Sequence, residues 1–334
     1  MQVFEVSGSP YRMGQQIGRR FRRVLQRKCA RAEAKWMNDE MRGKLAAIEM
    51  KLEQFFPEAL EEIRGKAEGA EVPLSTLLLL NSPELLLKKD GCTTVIMKDS
   101  EGRPFLSHNE DEDAFYKNNT MLVRYNYPDH WIIAYTCAEK LPGSCFGFNS
   151  HGLLFSSNYL FPDKVDARKI SRYIYEYALL SSDSVAEVRS RLDKMRAASP
   201  FSFNVIDTGT GEASNFEKDL DCFYETVVTT PYGRSNHFLK KEGEVRSSPS
   251  SLFRAAWAQT EVSRLDPADL DIEKLRQVLC HNEKDHNRSV LLKGQKNRTV
   301  VNFSYSGADD SIVILDYLDH GYEYHFNLQT LLNK

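Results

Sequence analysis

The sequence predicts an α+β protein built in layers, and three observations predict it. Up to residue 91 the chain reads as helix after helix; beyond Gly91 its texture turns to strands grouped like hairpins; and strands and helices then follow in blocks, without the one-to-one alternation of a βαβ winding. The 334 residues are 41% hydrophobic and 27% charged, enough for a substantial core. Forty-four basic against forty-seven acidic residues leave a net charge of −3, which offers no footprint for nucleic acid or an anionic membrane.

Taken in order, Ser9-Pro10 reads as an N-cap with proline at the first helical position, opening a helical stretch to about Lys51. Pro57 begins a second helix that Gly69 ends, and Pro73 begins a short third carrying Leu77 to Leu80. Thr93–Met97 and Pro104–Asn109 flank the turn-like Asp99-Ser100-Glu101-Gly102; Met121–Tyr127 and Trp131–Cys137 are further strands, and two more surround Asn149-Ser150-His151-Gly152. Helical periodicity spans about 166–195, strands 201–228, helices 250–280 and strands 298–326. With no internal repeat or low-complexity linker, one domain over 1–334 is expected. The opening Met1-Gln2-Val3-Phe4-Glu5 lacks the parts of a signal peptide, and no apolar run approaches the ~18 residues of a membrane span, so the expectation is a cytoplasmic protein without membrane contact. Six cysteines without a C-x-x-C pair read as reduced thiols.

Most polar clusters have ordinary readings. Arg19-Arg20-Phe21-Arg22-Arg23 is a solvated helix face, diluted by Glu33, Asp39, Glu40 and Glu49. Asn109-Glu110-Asp111-Glu112-Asp113 lacks the sixth-position glycine and twelfth-position glutamate of a calcium loop. Asp207-Thr208-Gly209-Thr210-Gly211 reads as a hairpin turn, and the spacing of His281 and His286 does not make a helical zinc pair.

Cys92 differs, because Gly91 precedes it where the helical preface meets the first long strand. A glycine carbonyl is the least shielded backbone acyl group, and glycine tolerates strained conformations. A thiol beside it can attack, converting the peptide bond to a thioester whose hydrolysis leaves Cys92 with a free α-amine. That amine, with an ordinary pKa of about 7.7–8.0, can serve as base for its own side chain. Such a nucleophile needs a group to orient the amine and donors for an oxyanion. Asp111 ends the hairpin's second strand and can return to the start of the first; Asn158 and Asn236 end predicted strands and carry uncharged donors.

Gly91-Cys92-Thr93-Thr94 followed by Asn109-Glu110-Asp111 resembles the acyl-coenzyme A:6-aminopenicillanic acid (isopenicillin N) acyltransferase family, peptidase family C45, of the N-terminal nucleophile hydrolases; the choloylglycine hydrolases are also similar. Ser9-Pro10-Tyr11-Arg12-Met13-Gly14 with Gly18, the run Leu60 to Ala70 followed by Leu80-Asn81, Gly147 to Leu153, and Asn236-His237-Phe238 supply further matching pieces in the right order. The resemblance implies an αββα four-layer sandwich with a helical N-terminal segment, 1–91, released as a small chain by cleavage between Gly91 and Cys92. The large chain, 92–334, would begin at the nucleophile, and the two chains would stay associated. It assigns the amine contact to Asp111 and the oxyanion to Asn236, with Asn158 contributing. Ser251-Leu252-Phe253-Arg254 resembles a serine-to-arginine motif that adds Arg254 to the site. His108 departs from the arginine that bile-salt hydrolases carry there, which argues against bile salts. The implied activity is hydrolysis of a small amide, or acyl transfer from an amide or acyl thioester, through an acyl-Cys92 intermediate, with no cofactor and no metal. Hydrolysis is preferred, since family members include hydrolases of small β-alanyl amides. The alternative is a silent sandwich that binds a ligand and does not cut itself.

Overall fold

The computed structural model describes residues 1–86, 91–113, 119–243, 246–294 and 297–333. Lys88, Lys89 and Asp90, which lead into the Gly91-Cys92 pair, lie outside the described residues. The elements in chain order are β1 (Gln2–Ser7), α1 (Pro10–Arg20), α2 (Arg22–Trp36), α3 (Asp39–Phe55), α4 (Pro57–Ala70), α5 (Leu74–Leu80), α6 (Pro83–Leu86), β2 (Gly91–Lys98), β3 (Pro104–Asp113), β4 (Thr120–Asn126), β5 (Trp131–Cys137), β6 (Phe146–Asn149) and β7 (Leu153–Tyr159). Then come α7 (Arg172–Leu180), α8 (Val185–Lys194), β8 (Phe201–Asp207), β9 (Ala213–Lys218), β10 (Phe223–Val227), β11 (Tyr232–Arg234), α9 (Pro249–Val262), α10 (Ile272–Val278), β12 (Asn297–Ser306), β13 (Ser311–Asp316), β14 (Tyr322–Asn327) and α11 (Leu328–Leu332).

The strands form two sheets, one ordered β1-β4-β5-β6-β7-β8-β9-β10 and the other β11-β2-β3-β12-β13-β14. Side-chain alternation divides the core into three layers. Leu153 and Phe155 of β7 pack with helices α1–α5, α7 and α8, whereas Leu154 joins Ile96, Leu106 and Phe303 between the sheets. On the far face, Val95, Met97 and Phe105 meet α9 and α10 through Ala258, Val262 and Leu275. Helices, sheet, sheet, helices is the expected αββα order.

Three local expectations are corrected. The stretch from Pro10 to Lys51 is three helices, not one. Phe21 ends α1 by turning its ring into the core, and Asn38 caps α3 by accepting the Met41 N–H at 2.8 Å. Neither break carries a proline or glycine; the only local sign is Asn38 before Asp39-Glu40, a capping signal for α3. The N-terminus is a strand, β1, pairing in parallel with β4 across the sheet edge, an exception to the antiparallel pattern. And Gly69 does not end α4; the helix runs to Ala70 and closes on Glu71 in the left-handed region at φ 57°.

Gly69 has another use. An added Cβ at Gly65 would lie 1.9 Å from the Tyr11 carbonyl oxygen, one at Gly14 would lie 2.2 Å from that of Glu62, and Gly18 and Gly69 are similarly closed. Spaced by four on both helices, these glycines form a flat seam along which α1 and α4 touch backbone to backbone. The opening motif and the run before the nucleophile are therefore two halves of one helix crossing.

Candidate active site

Cys92 is the second residue of β2, buried at 2% exposure. β2 pairs antiparallel with β3 so that Gly91 faces Asp111 and Cys92 faces Glu110. On its other side β2 pairs with β11, Arg234 opposite Thr94, which carries Asn236 alongside Cys92. The hairpin expectation that Asp111 returns to the start of the first strand thus matches the register.

Four of the five proposed side chains converge. The Cys92 N–H donates to Asn236 Oδ1 at 3.0 Å, and Arg254 Nη2 donates to the same oxygen at 2.7 Å. Arg254 Nη1 donates to the Cys92 carbonyl at 2.6 Å and to Thr93 Oγ1 at 2.8 Å, and lies 3.7 Å from Asp111 Oδ2. A guanidinium only donates, so Asn236 must aim its oxygen at Arg254 and its amide nitrogen away. That nitrogen donates to the Tyr159 carbonyl at 2.8 Å and keeps a second hydrogen. Ser251, one helical turn before Arg254 on α9, accepts the Asn236 backbone N–H at 2.9 Å, which explains the serine of that motif.

Asp111 is wholly buried. Its Oδ1 accepts from Thr299 of β12 at 2.7 Å, while Oδ2 has no hydrogen-bond partner among the described residues. A Cβ built on Gly91 would come within 3.1 Å of that bare oxygen, so the carboxyl group rests directly against the glycine. Burial raises its pKa to about 7 against the opposing pull of Arg254 and Thr299. Burial, then the neighbouring Glu110 carboxyl group, pushes the Cys92 thiol well above its usual range, so the thiol is neutral in the intact chain; the Tyr159 backbone N–H, bonded to the sulfur, acts against this.

Asn158 sits one step away, in the layer between the sheets. Its Oδ1 accepts from Thr94 at 2.9 Å and from Asn204 Nδ2 at 3.0 Å, and its own Nδ2 is buried without a hydrogen-bond partner among the described residues. Sequence reading missed Glu110 as a contact of the thiol, the backbone of Tyr159, Ser235 and Thr299. Ser235 Oγ donates to the Cys92 carbonyl at 3.0 Å. The adjacency of Glu110 to Asp111 was visible, but the expected strand stopped at Asn109, so their placement on opposite faces of β3 was not. The same alternation disposes of the calcium loop, since residues 109–113 are part of β3.

Cys92, His108 and Glu110 bring three atoms of metal-ligating type within 4.8 Å of one another. They are occupied with each other, the thiol donating to Glu110 Oε2 at 3.0 Å and His108 Nε2 lying 3.4 Å from the same oxygen. Beside the site, a cavity of about 460 Å³ is lined by Tyr159, Phe161, Val165, Glu84, Arg172 and Ser199, among others.

This chain belongs to the acyl-coenzyme A:6-aminopenicillanic acid acyl-transferase family, whose profile matches residues 97–314, a span that includes Asp111, Asn158, Asn236 and Arg254. It is 30% identical over 152 residues to a β-alanyl-dopamine/carcinine hydrolase of Drosophila melanogaster, covering 39% of either chain. It is 26% identical over 227 residues to the 40 kDa form of an acyl-coenzyme A:6-aminopenicillanic-acid-acyltransferase of Emericella nidulans, covering 64% of this chain and 62% of that one. The chain thus matches less than two thirds of the length of either relative. Solved structures with a similar course include a variant of the conjugated bile acid hydrolase of Clostridium perfringens (TM-score 0.45, 11% identity, 72% of this chain and 93% of that one). Another is the penicillin V acylase of Agrobacterium tumefaciens (TM-score 0.43, 10% identity, 71% of this chain and 86% of that one).

Proposed function

We propose that this family member is a cysteine amidohydrolase or N-acyltransferase that makes its own nucleophile by cutting the Gly91–Cys92 bond. The observation that carries the reading is the buried Asp111 Oδ2, packed against Gly91 and 3.7 Å from Arg254 but without a hydrogen-bond partner among the described residues. A buried acceptor left without a hydrogen bond costs roughly 1–3 kcal/mol, and an ammonium or amine released on Cys92 is the donor that would satisfy it. In the mature enzyme that amine takes the thiol proton, and Sγ attacks the carbonyl of a small amide or acyl thioester. The second hydrogen of Asn236 Nδ2, the Tyr159 N–H and the Nδ2 of Asn158, without a hydrogen-bond partner among the described residues, are the donors for the oxyanion, each already aimed by neighbours. Arg254 holds Asn236 and the Cys92 carbonyl in place. The acyl or amine part of the substrate fits the cavity at Tyr159, whose backbone touches both the nucleophile and Asn236; water entering there completes hydrolysis.

The released small chain would remain attached. It supplies β1 to the larger sheet and most of the helical layer, with Ile17, Leu25, Leu60, Ile63 and Leu78 buried beside Met121, Phe155 and Phe203. All six cysteines are unpaired, which suits a reducing compartment such as the cytoplasm, and none of the described helices is long and apolar enough to cross a membrane.

Denaturing electrophoresis with N-terminal sequencing tests the cut. Wild type should convert from one 38.3 kDa chain to fragments 1–91 and 92–334, the second beginning Cys-Thr-Thr, and Cys92→Ala should stay intact. A wild-type chain that remains whole while binding small amides would instead identify a silent binding protein.

A further inference from the structure

We infer that Glu110, backed by His108, is the proton acceptor for the Cys92 thiol in the self-cleavage step, a task the α-amine cannot perform because cleavage has not yet created it. The inference rests on the self-processing reading above and adds the base that the intact chain requires.

Proton positions around the thiol follow from one donor-only group. Arg234, fully buried, donates to Asn215 Oδ1 at 3.0 Å, which fixes that atom as oxygen and the other as nitrogen. Asn215 Nδ2 then donates to Asn204 Oδ1 at 2.7 Å, and Asn204 Nδ2 to Asn158 Oδ1 at 3.0 Å. Thr94 must therefore give its hydroxyl proton to Asn158 Oδ1, at 2.9 Å. With that proton spent, Thr94 Oγ1 can only accept from His108 Nδ1, 2.8 Å away, so the imidazole proton is on Nδ1 and Nε2 presents a lone pair. Nε2 faces Glu110 Oε2 at 3.4 Å, and the same Oε2 receives the Cys92 S–H at 3.0 Å. A carboxylate facing a lone pair would repel it; a carboxylic acid donates to it. Thiol, carboxyl and imidazole thus stand in line for two proton hops, thiol to Oε2 and Oε2 to Nε2.

The step balances within the chain and one water. The two hops leave a thiolate and an imidazolium; Sγ bonds to the Gly91 carbonyl carbon; the C–N bond of the tetrahedral adduct breaks; and the departing nitrogen recovers the proton through Glu110, restoring His108 and completing a thioester with a free α-amine. Water then hydrolyses the thioester, releasing the Gly91 carboxyl group and the thiol. Burial lowers the His108 pKa to about 3, so His108 rests neutral and its imidazolium is a passing state. The other groups facing Glu110 are the Cys145 thiol, hydrogen-bonded to it, the Tyr135 phenol, and the Lys140–Glu112 pair at 2.6 Å; Asp111 adjoins Cys92 from the opposite face of β3.

The test follows cleavage of the purified full-length chain over time and pH, with and without hydroxylamine, which cuts thioesters but not amides. Glu110→Gln should slow cleavage by at least about 100-fold in both conditions, because the S-acyl shift itself is impaired. His108→Ala should slow it less and displace the pH–rate profile, which a purely structural loss would not do. Urea melts and Glu110→Asp, expected to regain part of the rate, check that the centre still folds. Wild-type speed in Glu110→Gln, or full rescue of that variant by hydroxylamine, would assign Glu110 no part in the shift; an unmoved profile in His108→Ala would remove the second hop. If wild type itself never cuts, the self-processing reading fails and takes this inference with it, an outcome distinct from a wild type that cuts and a Glu110→Gln that cuts equally well.

Discussion

The α1–α4 crossing and the Cys92 centre lie on opposite sides of the larger sheet and are held by opposite means. At the crossing, four glycines let two backbones touch, and nothing but hydrogen fits between them. At the centre, nearly every polar atom has a hydrogen-bond partner among the described residues, and the exceptions, Asp111 Oδ2 and Asn158 Nδ2, are the atoms we assign to chemistry. Steric contacts fail when anything is added; the polar centre fails when an atom of the same size changes its hydrogen-bonding role.

That contrast orders the predictions. Asp111→Asn adds no volume, so the fold should survive, yet turnover of a small amide should fall by about 10²–10⁴-fold if, as proposed, this oxygen holds the new amine, because it becomes ambiguous with a donor. Unchanged turnover would detach Asp111 from the site. Gly65→Ala should leave the chemistry's parts intact and lower the unfolding free energy by about 3 kcal/mol or more in urea titration, since a methyl 1.9 Å from the Tyr11 carbonyl forces the helices apart. A cost below about 1 kcal/mol would show that the seam is slack.

A pH effect comes next. Between its ordinary value of 3.8 and about 7, folded Asp111 holds a proton that the unfolded chain releases. The folded state binds more protons in that window, so the residue's contribution to stability falls as pH rises through it, by at most a few kcal/mol. In the uncut Cys92→Ala background, Asp111→Asn should flatten this part of the stability–pH curve; an identical slope in both would place the titration elsewhere. The smallest effect serves as a control for the seam. Gly43, in α3, has open space around its Cα, so Gly43→Ala should stabilise by no more than about 1 kcal/mol through helix propensity alone.

Much of the site was legible in the chain. Gly91-Cys92, Asp111, Asn236 and Arg254 are short motifs whose order survives folding, and the structure gathers them around one strand end. The blocks of strands and helices gave the layers in the same way. The break at Phe21 was hidden among good helix formers, the one at Asn38 carried only the capping signal Asn38-Asp39-Glu40 with no proline or glycine, and strand β1 is too short to show its distant pairing with β4. The glycines of α1 and α4 were visible as motifs, but their reason, a crossing of two helices some fifty residues apart, was not.

What the sequence determined by itself was the inventory and its alternation: a cysteine behind a glycine, carboxylates on successive strand positions, glycines every fourth residue. Those are set by covalent order and by the two-residue and 3.6-residue periods of the backbone. Only the tertiary structure decided which carboxylate meets the thiol and which meets the glycine, and which way each amide turns. Such choices depend on partners brought together from β7, β8, β9, β11 and α9, and a hydrogen bond has a direction that no single segment can specify.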